Sequence, residues 1–260
     1  MRKLISIIFC FLSIQTYAQK AIQQGDVTVE LLNDHQIIPI QAVHKSYSIL
    51  YAVDYQNPEV ALAYLDKENV NKERGFERPR SFSKQNSPKQ VLVKHDTYTN
   101  SDKKFQSFDR GHMIPNDMMD YNKDYQKDTF AVYNICPQYP ECNARGSAWY
   151  QIEQQIEKRA WSYGRVYVIT GPVFDKKVSE YPKLKGLVVI PEKFYKILLS
   201  YDSEEKSFVK IEVFIFTNSK TSEKDVSSCL RSSWNKDSDK QLQDTLDDIK
   251  KMLNLKIKLS

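Results

Sequence analysis

The feature that most constrains the fold of this chain is a series of short segments rich in β-branched and aromatic residues. Such segments are typical of β-strands, and the last two are separated by only a short polar stretch, which predicts a hairpin. A strand is also predicted at 130–135 (FAVYNI), and 90–93 is a weaker candidate. The other predicted strands lie at 47–55, 165–170, 186–190, 195–201 and 209–217.

Helical periodicity marks two segments, 147–162 and 242–253, whose apolar residues recur at three- and four-residue steps. Strands outnumber helices, and no internal repeat or low-complexity linker divides the chain. A chain of 260 residues is long enough to bury a full-sized core in one domain. The sequence therefore predicts an α+β (mixed α/β) fold with a central antiparallel sheet and packed helices.

The first 18 residues have the pattern of a secretory signal peptide. A charged start (Arg2, Lys3) precedes an apolar run at 4–14 and a small-residue cleavage site ending at Ala18. We therefore expect cleavage after Ala18, a single domain at 19–260, and a secreted or periplasmic protein. No later stretch approaches the ~20 apolar residues that span a bilayer, so no stable membrane association is expected after cleavage.

Export would place the cysteines in an oxidising compartment, where disulfides form and persist. Cys136, Cys142 and Cys229 remain after cleavage, and this odd number predicts one disulfide and one free thiol. The six-residue separation of Cys136 and Cys142 permits a local bridge, and Cys229 is the rival partner. A zinc site is the weaker interpretation, because no Cys-x-x-Cys or paired-His spacing accompanies the cysteines.

The charge of the chain is compatible with a polyanionic partner but too mild to establish one. The net charge is +5, and +3 without Arg2 and Lys3. Basic residues are concentrated between 72 and 94, where seven of them are opposed only by Glu73 and Glu77. Taken alone, this stretch fits a solvated basic loop at least as well as a phosphate-binding groove.

The residues best suited to chemistry are concentrated between Asp109 and Glu153. Phosphodiester hydrolysis needs a base that deprotonates water near neutral pH, which suits histidine. It also needs positive charge on the phosphate and the leaving oxygen, which arginine and a hard, oxygen-ligated divalent ion supply. The sequence offers DRGHM at 109–113, NICPQ at 134–138, Asn143, and a helix that carries Trp149 and Glu153.

This ordered set of motifs resembles the DNA/RNA non-specific endonucleases, an endonuclease G-like family of the ββα-metal (His-Me finger) superfamily. The segments 168–174 (VITGPVF) and 190–197 (IPEKFYKI) also resemble the family, and the likeness covers roughly 47–217. The resemblance implies a ββα-metal motif over roughly 106–162 and metal-dependent cleavage of DNA and RNA that leaves 5′-phosphate ends. Protein contacts would go mainly to the phosphate backbone.

The resemblance also implies the metal chemistry of the site. His112 would be the general base that activates water. Asn143 would be the sole direct protein ligand of a magnesium ion, with manganese or another divalent ion as a substitute. Glu153 would hold a metal-bound water from the outer shell. A homodimer is compatible with the resemblance.

Other matching residues would bind or position the substrate. Arg110 would contact the phosphate, and Asn134 would help to position the phosphate or His112. A second family arginine lies upstream of the motif, and either Arg78 or Arg80 is a candidate for that place. Asp109 and Gly111 are interpreted instead as structural residues of the turn that presents the histidine.

One departure from the family spacing bears on the metal site. Asn143 and Glu153 are ten residues apart, whereas the family has eight. An unbroken helix would separate their backbones by roughly 15 Å, because each residue adds about 1.5 Å. We therefore predict a loop at 144–146 and a helix that begins near Ser147, which is a suitable N-cap residue.

Two other functions fit the same residues. The first is a small-nucleotide phosphodiesterase of the same fold, for which a closed pocket and indifference to salt are expected. The second is a non-catalytic nucleic-acid-binding module, which would retain affinity for DNA without cleaving it in magnesium. The altered spacing of Asn143 and Glu153 keeps this second alternative open.

Overall fold

The computed structural model describes residues 20–72, 76–84, 86–98 and 108–260, so the predicted signal peptide lies outside the described residues. The strands are β1 (Ala21–Gln24), β2 (Val27–Leu31), β3 (Ile37–Gln41), β4 (Ser48–Ala52), β5 (Asn57–Asp66), β6 (Asp109–His112), β7 (Ile135–Gln138), β8 (Gly164–Pro172), β9 (Lys183–Leu184), β10 (Val188–Val189), β11 (Lys193–Asp202), β12 (Ser207–Thr217), β13 (Leu230–Asn235) and β14 (Leu255–Leu259). The helices are α1 (Lys67–Val70), α2 (Asn116–Met119), α3 (Lys123–Thr129), α4 (Pro140–Asn143), α5 (Ala148–Tyr163) and α6 (Leu242–Leu253).

A seven-stranded antiparallel sheet forms the centre of the fold, in the order β13-β12-β11-β8-β5-β4-β3. Alternate side chains of a strand point to opposite faces, and in the central strands both sets are buried. Val168 of β8 belongs to the same core cluster as Trp149 of α5, whereas Ile169 belongs to the cluster of Ile249 of α6. The predicted α+β fold with a central antiparallel sheet is confirmed.

The two faces of this sheet carry different layers. Helix α5 and the two-stranded sheet β6–β7 pack on one face. Helix α6 and a three-stranded sheet, β1-β2-β14, pack on the other. In that small sheet Ile257 of β14 lies opposite Val29 of β2, so the C-terminal segment is part of the fold.

Two strand predictions are wrong, because the backbone hydrogen bonds go to the Gln56 side chain at 90–93 and to the backbone of Ser83 at 130–132. At 90–93 the chain is irregular, because Gln56 accepts the Leu92 N–H at 2.7 Å and donates to the Gln90 carbonyl at 2.9 Å. Within 130–135 a 3-10 turn (Val132–Asn134) precedes β7, which begins only at Ile135. The backbone polar groups are thus satisfied without a strand.

The other main predictions of secondary structure are confirmed. Strands β11 and β12 form the expected hairpin, and α6 covers the predicted 242–253. Helix α5 begins at Ala148, one residue after the predicted start. Within the described part of the chain, no helix combines the length and apolar character that crossing a membrane requires.

The cysteines differ from the prediction of one disulfide. Cys136, Cys142 and Cys229 are all buried and carry free thiols, so no disulfide joins residues that the structure describes. The thiols have separate partners. Cys142 is hydrogen-bonded to the side chain of Ser222, and the thiol of Cys229 lies 3.7 Å from the carbonyl oxygen of Asp225. Burial raises the pKa of the Cys136 thiol well above its usual value, which keeps it protonated.

Candidate active site

The motif residues are carried by the antiparallel pair β6 and β7. His112 lies opposite Ile135, and Asp109 lies opposite Gln138. A Cβ atom on Gly111 would overlap the side-chain amide of Gln138, so glycine is required for the two strands to pack here. This pair presents His112 at the end of β6, on the sheet face that also carries α5.

Asn134 is buried immediately before β7, and its amide group is occupied by the backbone. Its Oδ1 accepts the N–H of Ile114, and its Nδ2 donates to the carbonyls of Ile114 and Thr129, each at 3.0 Å. Its own carbonyl accepts the N–H of Met113 at 2.9 Å. These bonds hold the residues that follow His112 and leave no amide atom for a phosphate.

His112 lies between two phenylalanines that each carry an arginine. Its ring centroid is 5.3 Å from that of Phe82 and 4.9 Å from that of Phe130. The guanidinium carbon of Arg110 lies 5.3 Å from the Phe82 ring, and that of Arg78 lies 5.6 Å from the Phe130 ring. Burial, followed by the charges of Arg78 and Arg110, lowers the pKa of His112 from 6.5 to about 3, so the imidazole is neutral at pH 7.

Neither ring nitrogen of His112 has a hydrogen-bond partner among the described residues. Nε2 is a buried atom, while the residue as a whole is partly exposed. The nitrogen open to the surroundings is therefore Nδ1. A neutral imidazole with one unpartnered, accessible nitrogen has the form that a general base requires.

The candidate phosphate-binding arginines are not equivalent. Arg80 is 92% exposed, and Glu77, at 3.4 Å, is its only ion-pair partner among the described residues, whereas Arg78 and Arg110 lie against the rings around His112. Neither Arg78 nor Arg110 forms an ion pair with any residue that the structure describes, so both charges are available to an anion. The structure thus brings Arg78 and Arg110 together at His112 and leaves Arg80 in solvent.

His95 also belongs to this site, although the sequence assigned it no role. Its Nδ1 accepts the backbone N–H of Phe82 at 3.1 Å, and its Nε2 lies 3.4 Å from Nη1 of Arg110. These contacts hold Phe82 and limit the positions open to Arg110. No local pattern in the sequence indicates this, because the partners lie 13 and 15 residues away along the chain.

Asn143, the last residue of α4, is oriented by Asp109. Its Nδ2 donates to Oδ2 of Asp109 at 3.1 Å, which leaves Oδ1 free to bind a cation. Asp109 therefore orients a candidate ligand in addition to its expected structural role. No three His, Cys, Asp or Glu side chains of the described residues converge as metal ligands. The donor set suits a hard ion that keeps most of its water, as magnesium does.

Glu153 of α5 is paired with Lys196, a buried lysine on β11. Lys196 Nζ lies 3.0 Å from Glu153 Oε1 and 3.7 Å from the centroid of the Trp149 ring. Burial raises the pKa of Glu153, an effect that Lys196 opposes, and burial likewise lowers the pKa of Lys196. The sequence analysis missed Lys196, although a lysine within the otherwise apolar and aromatic run 194–199 (FYKILL) was the available signal.

The ten-residue spacing is accommodated as predicted. Helix α4 ends at Asn143 and α5 begins at Ala148, with a loop between them. The hydroxyl of Ser147 accepts the N–H of Tyr150 at 3.1 Å and caps α5. Asn143 and Glu153 consequently line the same part of the cleft.

The site opens into an elongated cleft with Arg78, His112 and Asn143 at its middle, since these three residues line both of its limbs. The first limb, called the β6 limb, is lined by Arg80, Phe82, Tyr98, Phe108 and Arg110. The second, called the α5 limb, is lined by Asn116, Asp117, Arg145, Tyr150 and Glu153. A cleft that continues on both sides of His112 is suited to a chain-like ligand.

Known proteins are similar to this chain in sequence. The profile of the DNA/RNA non-specific endonucleases matches residues 30–256. The protein "Nuclease 1, mitochondrial" of Schizosaccharomyces pombe is 24% identical over 189 residues, which cover 68% of this chain and 57% of that protein. "Endonuclease G, mitochondrial" of Homo sapiens is 33% identical over 109 residues, which cover 39% of this chain and 36% of that protein.

The fold has a solved counterpart. A chain in the crystal structure of the EndoG/EndoGI complex matches with a TM-score of 0.61 at 19% sequence identity. The match covers 87% of this chain and 86% of that chain. At this identity the likeness concerns the fold alone.

The relatives correct the predicted localisation. The nucleases of Schizosaccharomyces pombe and Homo sapiens are both named mitochondrial, and so is a nuclease of Saccharomyces cerevisiae. The prediction of a secreted or periplasmic protein is therefore wrong. It rested on residues 1–18, for which the comparisons provide no support as a secretion signal.

The extent of the family match decides the classification. The chain spans only 57% and 36% of the length of the first two relatives. The family profile, however, extends over most of this chain and includes every motif residue of the cleft. Nucleases of this family depend on a divalent metal ion. The chain belongs to the DNA/RNA non-specific endonuclease family.

Proposed function

We propose that this protein is an endonuclease that hydrolyses phosphodiester bonds within DNA and RNA, with magnesium as its metal ion. The observation that carries the proposal is the setting of His112. Its imidazole is neutral and unpartnered, and it lies at the middle of a long cleft beside two arginines that lack ion-pair partners among the described residues. One nuclease domain over residues 19–260 is part of the proposal, supported by the family match to 30–256.

In this proposal His112 takes a proton from the attacking water on Nδ1, while the buried Nε2 carries the hydrogen of the neutral ring. A pKa of about 3 alone would make a weak base. A phosphate bound by Arg78 and Arg110 offsets the two charges that contribute to this low value. Burial, the first cause of the low pKa, remains in the complex, but the effect of the two charges is reduced. The pKa of His112 then rises, so the base gains strength when the substrate is bound.

The remaining residues of the site would bind charge and hold the base in place. Arg78 and Arg110 bind the phosphate oxygens, and Asn143 holds the magnesium ion through Oδ1. The ion supplies positive charge at the phosphate and at the leaving oxygen. Glu153 would hold a water bound to the ion, and Asn134 positions His112 through the backbone of 113–114.

The shape of the cleft favours a polymer over a small nucleotide. It continues past His112 in two directions, whereas a phosphodiesterase for small nucleotides is expected to have a closed pocket. The loop at 144–146 keeps Asn143 and Glu153 in one part of the cleft, which removes the argument from spacing for a non-catalytic module.

The first test is degradation of plasmid DNA and total RNA by the purified protein, with magnesium or with excess chelator. His112→Ala is expected to reduce the rate by about 10²–10⁴-fold, the usual contribution of a general base. His44→Ala is the matched control, because His44 is an exposed histidine that pairs with Asp128 and does not line the cleft. Full activity of His112→Ala, or no cleavage by the wild-type protein, would contradict the proposal.

The same preparation tests assembly. A homodimer is proposed from the family resemblance, and sedimentation equilibrium of the wild-type protein measures its mass directly. A mass of 30.4 kDa at micromolar concentration would show a monomer instead.

A further inference from the structure

We propose that Arg145 binds a second phosphate of the substrate, next to the one that is cleaved, and that Tyr150 contacts the nucleotide to which this phosphate belongs. The inference rests on the proposed function and deepens it by defining a binding position in the α5 limb. It follows from the backbone that carries Arg145, from the charges around it and from the course of the cleft.

Arg145 is carried by the loop that accommodates the ten-residue spacing. The loop is held at its start by Ala144, whose N–H donates to the Pro140 carbonyl at 2.7 Å. Within it, the N–H of Ser147 donates to the Ala144 carbonyl at 3.1 Å. Gly146 has a φ of +88°, a left-handed conformation that glycine adopts without a steric penalty. The chain therefore reverses directly after Arg145 and enters α5.

A second set of bonds ties the end of this loop to the neighbouring segment. Nε2 of Gln151 donates to the carbonyls of Gly146 at 3.1 Å and Lys224 at 2.7 Å. The N–H of Ala148 donates to the Glu223 carbonyl at 2.9 Å. Since the backbone is held on both sides, binding through Arg145 costs little ordering of the loop.

The side chain of Arg145 is unpaired and faces the α5 limb. It is exposed, it lines the limb, and it has no ion pair or hydrogen bond with any described residue. Two carboxylates line the same limb and would repel a phosphate. The negative charge of Glu153 is offset by its ion pair with Lys196. Asp117 accepts a hydrogen bond from Asn116 at 2.7 Å.

A guanidinium in this position is suited to a phosphate, because its planar set of N–H groups can donate two parallel hydrogen bonds. With the cleaved phosphate at the middle of the cleft, a strand that follows both limbs places a neighbouring nucleotide in the α5 limb. Tyr150 lines that limb and offers an aromatic ring on which any base can stack. A small substrate with a single phosphodiester would not reach Arg145.

The test measures binding separately from cleavage. Anisotropy of a fluorescein-labelled single-stranded oligonucleotide, in excess chelator, gives the Kd at a series of salt concentrations. Arg145→Ala should weaken binding several-fold and reduce the slope of log K against log salt by about 0.7, the contribution of one phosphate contact to a single strand. Arg231→Ala is the matched control, because Arg231 is exposed, lies outside the cleft and should leave the slope unchanged.

Kinetics with magnesium provide the second readout. Arg145→Ala should raise KM for DNA, leave kcat within about twofold, and not change the rate on bis(p-nitrophenyl) phosphate, which has one phosphodiester. Tyr150→Ala should weaken oligonucleotide binding, and Tyr150→Phe should retain it.

The outcomes separate this inference from the proposed function. An unchanged salt slope in Arg145→Ala, or an equal loss on the single phosphodiester, would overturn the assignment of Arg145. A wild-type protein that binds the oligonucleotide but cleaves nothing would overturn the proposed function. The binding series would still decide whether Arg145 contacts a phosphate.

Discussion

At the scale of single residues, the chemistry of the cleft depends on how burial and neighbouring charges set protonation. His112 is neutral because burial and two arginines disfavour its charged form. Burial raises the pKa of Glu153, and one buried lysine, Lys196, opposes that rise. In both groups burial and neighbouring charges together set the pKa. Substitution of one charged neighbour should therefore shift the pKa of each group in a known direction.

Arg78→Gln should raise the pKa of His112 from about 3, because one repelling charge is removed while burial and Arg110 remain. The unfolded chain has a histidine pKa near 6.5, so it takes up a proton that the folded protein does not bind between pH 6.5 and 3. Folding stability therefore falls as the pH decreases through this window, and the Arg78→Gln variant should lose less stability than the wild-type protein. NMR titration of the imidazole measures the pKa, and Arg80→Gln, with its guanidinium in solvent, is the control.

Lys196→Met should leave Glu153 buried without its partner and raise the pKa of Glu153 further. Breaking a buried ion pair in this way costs about 3–5 kcal/mol of folding stability. The acidic side of the pH–rate profile should also move to higher pH. Urea unfolding measures the loss of stability, and the pH–rate profile measures the shift. Lys193→Met is the control on the same strand, because the exposed ion pair of Lys193 with Asp175 is worth about 1 kcal/mol or less. Equal losses in the two variants would contradict the role of Lys196.

At the scale of secondary structure, the start of α5 places the two residues of the proposed metal site. The helix begins at Ala148 and not at Asn143, so Asn143 stays beside Asp109 while Glu153 reaches the same limb from the helix. The cap at Ser147 fixes that start, because its hydroxyl accepts an N–H of the first turn.

Ser147→Ala should therefore lower the free energy of unfolding by about 1 kcal/mol, the usual loss for an N-cap, and raise the concentration of magnesium needed for half-maximal cleavage. Ser162→Ala, at an exposed position inside α5, should change the free energy of unfolding by no more than about 0.5 kcal/mol and should leave the magnesium requirement unchanged. Chemical denaturation and a magnesium titration check both quantities. A stability loss without any change in the magnesium requirement would show that the cap does not influence the site.

At the scale of the whole molecule, two buried layers enclose one sheet, and segments from both ends of the described chain meet in β2 and β14. Both faces of the central strands are covered, so the core is large. A core of this size does not need a disulfide for stability, as small secreted domains often do. The three buried free thiols agree with this.

Reducing agent should accordingly leave the Tm unchanged, because Cys136, Cys142 and Cys229 are thiols in the folded protein. The chain has a fourth cysteine, Cys10, within the first 18 residues. In a Cys10→Ser background, a thiol reagent should react slowly with the native protein, since burial raises the pKa of the other three thiols, and it should titrate three groups after denaturation. A disulfide would be worth about 2–4 kcal/mol, so its reduction would lower the Tm by several degrees. Detection of a single thiol after denaturation would contradict the structure.

Much of the fold could be predicted from local patterns. The hairpin β11–β12 and the bounds of α6 follow from the spacing of apolar residues, which depends on neighbours along the chain. The strands predicted at 90–93 and 130–135 failed because the Gln56 side chain and the Ser83 backbone, both remote along the chain, take up the backbone hydrogen bonds. Competition from such remote partners leaves no periodic signal.

The candidate site also has a part that could be predicted from the sequence and a part that could not. The order of the motifs was enough to identify His112, Arg110, Asn143 and Glu153 as a group, since residue type and spacing define their chemistry. Folding settled what depends on distance in space. It placed Arg78 at His112 and Arg80 in solvent, and it brought Lys196 to Glu153 from 43 residues away. Desolvation and Coulomb forces act through space, so partners that are remote along the chain become visible only once the chain has folded.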